Sequence, residues 1–178
     1  MILSKYYTAR TRRPKMDEID VRILELLQEN SRKPLSEISA EVHLSIPAVS
    51  ERLKKLENSG AIKSYTAILN PDSFGKALFA YCFTVLKNKD PEKELKFKRF
   101  IENEPDILEC YCLTGEYEYL LKIRTDSTSS LESLLVRMRK EAPIIKTSTS
   151  IVLSTKKEEP SIPPCITKCK NPAPQRRT

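Results

Sequence analysis

The sequence is poor in glycine and histidine, which limits the chemistry open to it. Among 178 residues there are three glycines, one histidine and no tryptophan. Neither a phosphate-binding P-loop nor a dinucleotide-binding fingerprint can be assembled from Gly60, Gly75 and Gly115, because both motifs need closely spaced glycines in one turn. We therefore do not expect nucleotide-dependent catalysis, and we expect no cofactor.

Long apolar runs are also missing. No apolar stretch approaches the roughly 18 to 20 residues that a membrane-spanning helix needs. The basic N-terminus is not followed by the apolar segment of about 7 to 15 residues that is typical of a secretory signal. These absences predict a cytoplasmic protein that has no membrane partner.

The five cysteines are an odd number in a chain long enough to fold without covalent cross-links, so we do not expect a disulfide framework. Cys110 and Cys112 share one face of a predicted strand, where we expect them to be small core residues. Cys165 and Cys169 supply only two soft ligands, which is too few for a zinc site. No metal is therefore expected.

The formal net charge is +7, and the surplus lies at the two ends of the sequence. Residues 1–16 carry +5 and residues 156–178 carry +4, whereas residues 17–66 carry −2 and residues 67–155 are neutral. The last segment mixes prolines with Lys and Arg without periodicity, which predicts a disordered basic tail. The first segment is equally compatible with a basic arm that contacts nucleic-acid phosphates and with an extension ahead of a second start at Met16.

Three short helices are predicted after the basic arm, each from apolar residues that recur at helical spacing. Asp17 and Ser45 are good cap residues for the first and third helices, and Pro34 suits the first turn of the second. Gly60 is the stop signal of the third helix. The predicted helices are residues 17–27, 34–43 and 45–59.

The third helix has a buried stripe and an opposite polar face. Val49, Leu53 and Leu56 fall at i, i+4 and i+7, which defines the buried side. A short two-helix unit whose second helix begins with small polar residues and continues with basic ones has the dimensions of a major-groove reader. The candidate DNA-binding residues are Ser45, Pro47, Ser50, Glu51, Arg52, Lys54 and Lys55.

Two kinds of DNA contact are expected from this face. Ser50 and Glu51 lie near the helix start, where side chains reach base edges, and Glu prefers the exocyclic amine of cytosine. Arg52, Lys54 and Lys55 would contact phosphates. The alternative is a solvated surface helix, because charge alone does not separate the two possibilities in a net acidic segment.

Three runs of residues in this segment match a known pattern. They are Asp17-x-x-Asp20-x-x-Ile23-Leu24-x-x-Leu27-Gln28-x-Asn30-x-Arg32, Leu44-Ser45, and Val49-x-x-Arg52-Leu53-x-x-Leu56-Glu57-x-x-Gly60-x-Ile62-x-x-Tyr65-Thr66-Ala67. This order resembles the DNA-binding half of the Lrp/AsnC (leucine-responsive, feast/famine) transcription regulators, and implies a winged-type helix-turn-helix domain. His43 is a departure, since the family usually has Gly in the turn; no metal-ligating or acid–base cluster surrounds this histidine in sequence.

Beyond Pro71 the pattern changes to strands and helices in the order βαββαβ. The predicted strands are residues 77–86, 107–114, 119–124 and 147–153, and the predicted helices are residues 90–101 and 127–140. Four strands with two helices on one face form the split βαβ, ferredoxin-like arrangement. Its uncovered sheet face predicts pairing with a second copy of the chain.

A second resemblance lies in the run Thr114-Gly115-Glu116-Tyr117-Glu118-Tyr119-Leu120-Leu121-Lys122-Ile123. It is similar to the Thr-Gly-x-Tyr-Asp-Tyr-Leu-Leu run of the effector-sensing RAM domain of the same family. There, small effectors, commonly amino acids, bind between subunits near the glycine turn. The candidate effector-binding residues are therefore Gly115, Glu116, Tyr117 and Glu118.

Physical chemistry supports this effector site without requiring it. A Gly-containing turn lets backbone amides approach a carboxylate, and an acidic side chain can pair with an α-ammonium group. Glu118 stands where the family usually has Asp, and its extra methylene shifts the carboxylate. The alternative is that Gly115 simply closes a hairpin while both glutamates face water.

The sequence thus predicts an α+β protein in five segments. They are a basic arm (1–16), a helix-turn-helix domain (17–66), a linker (67–75), a RAM domain (76–155) and a disordered tail (156–178), with a linking strand near residues 61–69. The predicted function is sequence-specific transcription regulation by a homodimer or higher homo-oligomer that binds double-stranded DNA and is modulated by a small effector. Two alternatives are a haem-biosynthesis decarboxylase of similar layout and a sensor protein that no longer binds DNA.

Overall fold

The computed structural model of the chain describes residues 15–87 and 90–164. Most of the basic arm, the end of the tail, Cys165 and Cys169 lie outside the described residues. Contacts divide the described residues into a first unit, residues 15–67 with 159–164, and a second unit, residues 68–158. No helix within the described ranges is long and apolar enough to cross a membrane.

The first unit contains three helices, as the hydrophobic spacing predicts. They are α1 (Glu18–Glu29), α2 (Leu35–Val42) and α3 (Ile46–Asn58). Each helix is amphipathic, and the three apolar stripes meet in one core, because none of these short helices would be stable alone. The buried residues of this core are Ile23, Leu26, Ile38, Val42, Val49, Leu53 and Leu56.

Side-chain caps begin α1 and α3 where the sequence places them. Asp17 and Asp20 form a reciprocal capping box, in which each carboxylate accepts from the other residue's backbone N–H. The Ser45 side chain accepts from the backbone N–H of Ala48 at 3.4 Å, and Pro47 lies in the first turn of α3. These caps satisfy amide groups that have no partner within a helix.

The tight turn between α2 and α3 places His43 in the left-handed region, with φ 53° and ψ 42°. His43 is the only described non-glycine residue with positive φ. Its side chain is exposed. The turn is closed by the hydrogen bond from the backbone N–H of Leu44 to the carbonyl of Ser39. The departure from glycine therefore leaves the turn geometry intact but places its strain on His43.

The linking strand expected over residues 61–69 is not formed. This segment is non-regular, and Tyr65, Ile68 and Leu69 are exposed. A strand requires a neighbouring strand for its backbone hydrogen bonds, and no described segment of the single chain pairs with residues 61–69. The described part of the first unit therefore presents its helices without a β wing.

The second unit has the expected βαββαβ order. Its elements are β1 (Leu78–Leu86), α4 (Pro91–Asn103), β2 (Ile107–Cys112), β3 (Tyr119–Thr125), α5 (Thr128–Glu141) and β4 (Ile144–Ile151). The sheet order is β2-β3-β1-β4, and all neighbouring strands are antiparallel. This is the ferredoxin-like arrangement. Strand β4 begins at Ile144, earlier than the sequence predicts, because Ile144 pairs with Leu86 across a register shift.

One face of this sheet packs against α4 and α5, and no described helix covers the other face. Alternate residues of the two central strands, Ala80, Cys82, Leu121 and Ile123, are fully buried on the helix side. They pack with buried helix residues, which are Phe97, Leu131, Leu134 and Met138. The side chains on the opposite face of the same strands are Phe79, Tyr81, Phe83, Val85, Leu120, Lys122 and Arg124.

The prediction that Cys110 and Cys112 belong to the core is wrong. They share one face of β2, but both are exposed. The reason is that β2 is an edge strand of the sheet. An edge strand has a neighbour on one side only, so its side chains lack the lateral packing that buries Cys82 on a central strand.

Replacing His43 with glycine should stabilise the first unit. The left-handed conformation costs a residue with a Cβ about 1–2 kcal/mol, which glycine avoids. Glycine loses more conformational entropy on folding, which offsets this stabilisation by about 0.5–1 kcal/mol. We expect His43→Gly to raise the free energy of unfolding by up to about 1.5 kcal/mol in urea titrations. His43→Ala is the control, and equal stabilisation by both variants would show that the backbone conformation is not the cause.

Candidate functional site

The outer face of α3 is the first candidate site. Burial of Val49, Leu53 and Leu56 turns the opposite side of the helix towards water. The residues predicted to contact DNA lie on or beside this side. Ser45, Pro47, Glu51, Lys54 and Lys55 are exposed, and Ser50 and Arg52 are half-buried.

A shallow surface cleft runs along this face. Its lining includes four of the predicted residues, Glu51, Arg52, Lys54 and Lys55. It also includes residues that the sequence does not single out, which are Asp17, Ala48, Asn58 and Ser59. Asn58 lies four residues after Lys54, so helical periodicity alone would have found it. Asp17 is the N-cap of α1, and no local pattern predicts its presence here.

The two lysines of the cleft are available to an anion. Among the described residues, neither Lys54 nor Lys55 has an ion pair or a hydrogen-bonded partner for its side chain. Glu51 on the same face lowers the local positive charge but adds an acceptor near the helix start. The face can therefore bind phosphates through its lysines and offer polar groups to base edges.

Arg52 is placed differently from the two lysines. Its Nη1 atom donates to Asp17 Oδ2 at 2.8 Å and to Asp20 Oδ1 at 2.6 Å. The backbone N–H of Asp20, and next the Arg52 guanidinium, lower the pKa of the Asp17 carboxyl. Hydrogen bonds to Asp17 and Asp20 raise the pKa of Arg52. The phosphate contact predicted for Arg52 stays a prediction, and it would compete with these bonds.

The second candidate site is the turn between β2 and β3, where Gly115 has φ 122°. A Cβ added to Gly115 would meet no atom within 4 Å, so its requirement for glycine is conformational rather than steric. The turn is closed by the hydrogen bond from the backbone N–H of Leu113 to the carbonyl of Glu118. Gly115 therefore serves a real turn, as the sequence predicts.

Glu118 ties this turn to the end of β1. Its backbone N–H donates to the carbonyl of Thr84 at 3.0 Å. Its Oε2 atom accepts from the backbone N–H of Leu86 at 2.9 Å. The carboxylate thus satisfies a backbone amide of a buried residue, which is a structural task. A contact between Glu118 and an effector stays a prediction.

Glu116 and Tyr117 lie with a residue that the sequence analysis missed, Lys146 on β4. Lys146 forms an ion pair with Glu116, and its Nζ atom lies 4.9 Å from the centroid of the Tyr117 ring. The hydrogen bond to Glu116 raises the pKa of Lys146. The Tyr117 ring lies 5.4 Å from that of Phe83. An exposed carboxylate, an ammonium group and an aromatic ring are therefore adjacent beside the glycine turn.

These two sites define a class of protein: a helix-turn-helix DNA-binding unit joined to a ferredoxin-like ligand-binding unit. Family models match both parts, the AsnC-type helix-turn-helix domain over residues 16–57 and the Lrp/AsnC ligand binding domain over residues 80–162. The chain belongs to the Lrp/AsnC family of transcriptional regulators. This membership confirms the predicted family and the prediction of a regulator rather than an enzyme.

The similarity extends over most of the chain. The HTH-type transcriptional regulator FL11 of Pyrococcus abyssi is 37% identical over 151 residues, which is 85% of this chain and 98% of that protein. The leucine-responsive regulatory protein of Escherichia coli is 32% identical over 144 residues, covering 80% and 88% of the two chains.

A solved structure of a relative shows the same fold. The structure described as the transcriptional regulator NMB0573/L-Met complex from Neisseria meningitidis has a TM-score of 0.80 to this chain. It is 30% identical and covers 84% of this chain and 97% of that one. The predicted α+β architecture is therefore confirmed.

Removal of the Glu118 carboxylate should loosen the hairpin. In Glu118→Ala the N–H of Leu86 loses its acceptor, and a buried donor left without one costs about 1–3 kcal/mol. We expect that loss in urea unfolding, together with faster hydrogen exchange of the Leu86 amide; Glu118→Gln, which keeps an acceptor oxygen, should lose less. Glu116→Ala is the matched control on the same turn, and destabilisation as large as that of Glu118→Ala would contradict this role.

Proposed function

We propose that this regulator recognises a specific operator by placing α3 in the major groove. The observation that carries this proposal is the exposed face of α3, on which Lys54 and Lys55 have no ion pair among the described residues. An α-helix fits the width of the B-DNA major groove. The capped start of α3 would approach the base edges, as in other helix-turn-helix proteins.

The residues of this face would divide their roles along the helix. Ser50 and Glu51 lie in the first two turns of α3 and would bond base edges, with Pro47 and the Ser45 cap next to the groove wall. Lys54 and Lys55 lie one turn further on and would neutralise phosphates. Positioning by phosphates and discrimination by base edges are separate tasks, so substitutions in the two groups should have different effects on specificity.

We propose in addition that the protein works as a homodimer formed through the face of the sheet opposite α4 and α5. This face carries the partly exposed side chains of Tyr81, Phe83 and Leu120 on the two central strands, apolar area that a second copy would remove from water. Two-fold symmetry would present two copies of α3 to half-sites roughly 34–36 Å apart. We also propose that the protein is cytoplasmic, because that is where its DNA target would be.

The effector site would be the glycine turn with Lys146. An α-amino acid carries a carboxylate and an ammonium group, and the exposed Glu116 and Lys146 carry the opposite charges side by side. The related N. meningitidis regulator was solved in complex with L-methionine, which supports an amino acid as the class of effector. The effector would regulate by binding one assembly of the protein more tightly than another.

Substitution of the two lysines should weaken binding to every DNA sequence. The salt dependence of binding reports the number of neutralised phosphates, with a slope of about −0.9 per contact in a plot of log K against log salt. We expect Lys54→Ala and Lys55→Ala each to reduce the slope by about 0.9 per protomer in fluorescence anisotropy titrations. Lys98→Ala on α4 is the control. Unchanged affinity and slope in both lysine variants would contradict the assigned face.

Replacement of Gly115 with valine should affect the effector response before DNA binding. A β-branched residue is strained at φ 122°, so the turn beside Glu116 would shift while α3 lies in the other unit. Thermal shift with a panel of the twenty amino acids would identify the effector for the wild-type protein, and we expect Gly115→Val to lose that shift. Equal loss of the shift and of DNA affinity would instead indicate a folding defect.

A further inference from the structure

Arg52 is part of a closed network with the N-terminus of α1. The backbone N–H of Asp17 donates to Asp20 Oδ2 at 3.1 Å, and the backbone N–H of Asp20 donates to Asp17 Oδ1 at 2.9 Å. Arg52 Nη1 then donates to the remaining oxygen of each carboxylate, at 2.8 and 2.6 Å. Both oxygens of both aspartates therefore accept hydrogen bonds, and Nη1 of Arg52 on α3 joins the two carboxylates of the α1 capping box.

Burial makes the bond to Asp20 the stronger constraint of the two. The Asp20 side chain is 5% exposed, that of Arg52 29% and that of Asp17 53%. A buried carboxylate requires a compensating partner, because its charge has lost most of its hydration. Arg52 is the only cation within ion-pair distance of Asp20 among residues 15–87 and 90–164. This pair is therefore held in place, unlike an ion pair between two exposed side chains.

The network constrains α3 in a way that its apolar stripe does not. Packing of Val49, Leu53 and Leu56 decides which side of α3 faces water, but these non-directional contacts constrain its exact rotation less firmly. Charge-assisted hydrogen bonds are directional and short. Arg52 lies between Glu51 and Lys54 in sequence, so the bond that orients Arg52 also orients the residues that face the groove.

We infer that Asp20 and Arg52 form a positioning bridge, which orients the DNA-reading face of α3 from the N-terminus of α1. Arg52 in this arrangement is a positioning residue and not a phosphate ligand. The inference rests on the proposed role of α3 in reading DNA. It adds Asp20, a buried residue remote in sequence from the recognition helix, to the determinants of operator affinity.

Asp20→Asn tests the bridge through the sign of its effect. Removal of a negative charge next to the DNA face should strengthen binding if electrostatics alone decides. The DNA for this test is a duplex that the wild-type protein has selected from a randomised pool. Loss of the bridge should instead weaken binding of the full-length protein to this duplex by roughly tenfold. The control is Glu37→Gln, which also removes one negative charge but at an exposed position of α2. This variant should not weaken binding.

A second pair of variants separates positioning from phosphate binding. Arg52→Gln should lower affinity with an unchanged salt slope, whereas Lys54→Gln should reduce the slope by about 0.9 per protomer. The double variant Asp20→Asn/Arg52→Gln should bind better than the product of the two single losses predicts, because the residues act as one unit. Circular dichroism on each variant tests whether it is folded. If Asp20→Asn does not fold, Asp17→Asn takes its place, because asparagine keeps the helix cap. Asp17→Asn should show a smaller loss of DNA affinity.

Two results would overturn the bridge while leaving DNA recognition by α3 in place. One is an Asp20→Asn protein, or Asp17→Asn in its stead, that binds the duplex at least as tightly as wild type. The other is an Arg52→Gln protein whose salt slope falls as much as that of Lys54→Gln, which would make Arg52 a phosphate ligand. A wild-type protein that selects no duplex at low salt would instead overturn the proposed function itself.

Discussion

The structure of the DNA-binding unit depends on one constraint: none of its helices can be stable alone. The helices contain 12, 8 and 13 residues, and helices of this length need tertiary packing in water. Each must therefore turn its apolar stripe inward. For α3 this decides which residues remain outside, so the chemistry of the candidate interface is a consequence of core packing. A buried carboxylate at Asp20 then adds direction to that packing.

The same reasoning explains the second unit. Two helices cover one face of a four-stranded sheet, and no described helix covers the other face. That face carries Tyr81, Phe83 and Leu120, which are partly exposed, and it is the surface that we propose for self-association. The glycine turn lies at one end of the sheet, where Glu116 and Lys146 meet across strands. Self-association and effector binding would thus use different parts of one layer.

Local periodicity in the sequence predicts much of this architecture. The helical stripe of α3, the cap at Ser45, the order of strands and helices along the chain and the turn at Gly115 all follow from patterns a few residues long, and the structure confirms them. Contacts between residues distant in sequence could not be predicted in this way. Arg52 pairs with Asp20, which is 32 residues away in sequence, and Lys146 pairs with Glu116, which is 30 residues away. Both pairs depend on how helices or strands are arranged, which no single segment encodes.

The two wrong expectations have the same physical origin. Cys110 and Cys112 have a strand periodicity typical of core residues, but the edge position of β2 exposes them. Residues 61–69 have strand-like composition, but a strand forms only where another strand supplies hydrogen bonds. In each case the local pattern favours a strand or a core position, and no described segment supplies the neighbour that this position needs. The sequence therefore predicts the secondary structure that a segment favours better than it predicts the neighbours of that segment in the fold.

Dimethyl sulfate footprinting on a selected operator tests the central claim most directly. The reagent methylates guanine N7 in the major groove and adenine N3 in the minor groove, so it reports which groove the protein occupies. A dimer that inserts two copies of α3 should protect guanine N7 in two patches about 10 base pairs apart on one side of the duplex. Protection confined to adenine N3, or none on a duplex that the protein demonstrably binds, would contradict the placement of α3 in the major groove.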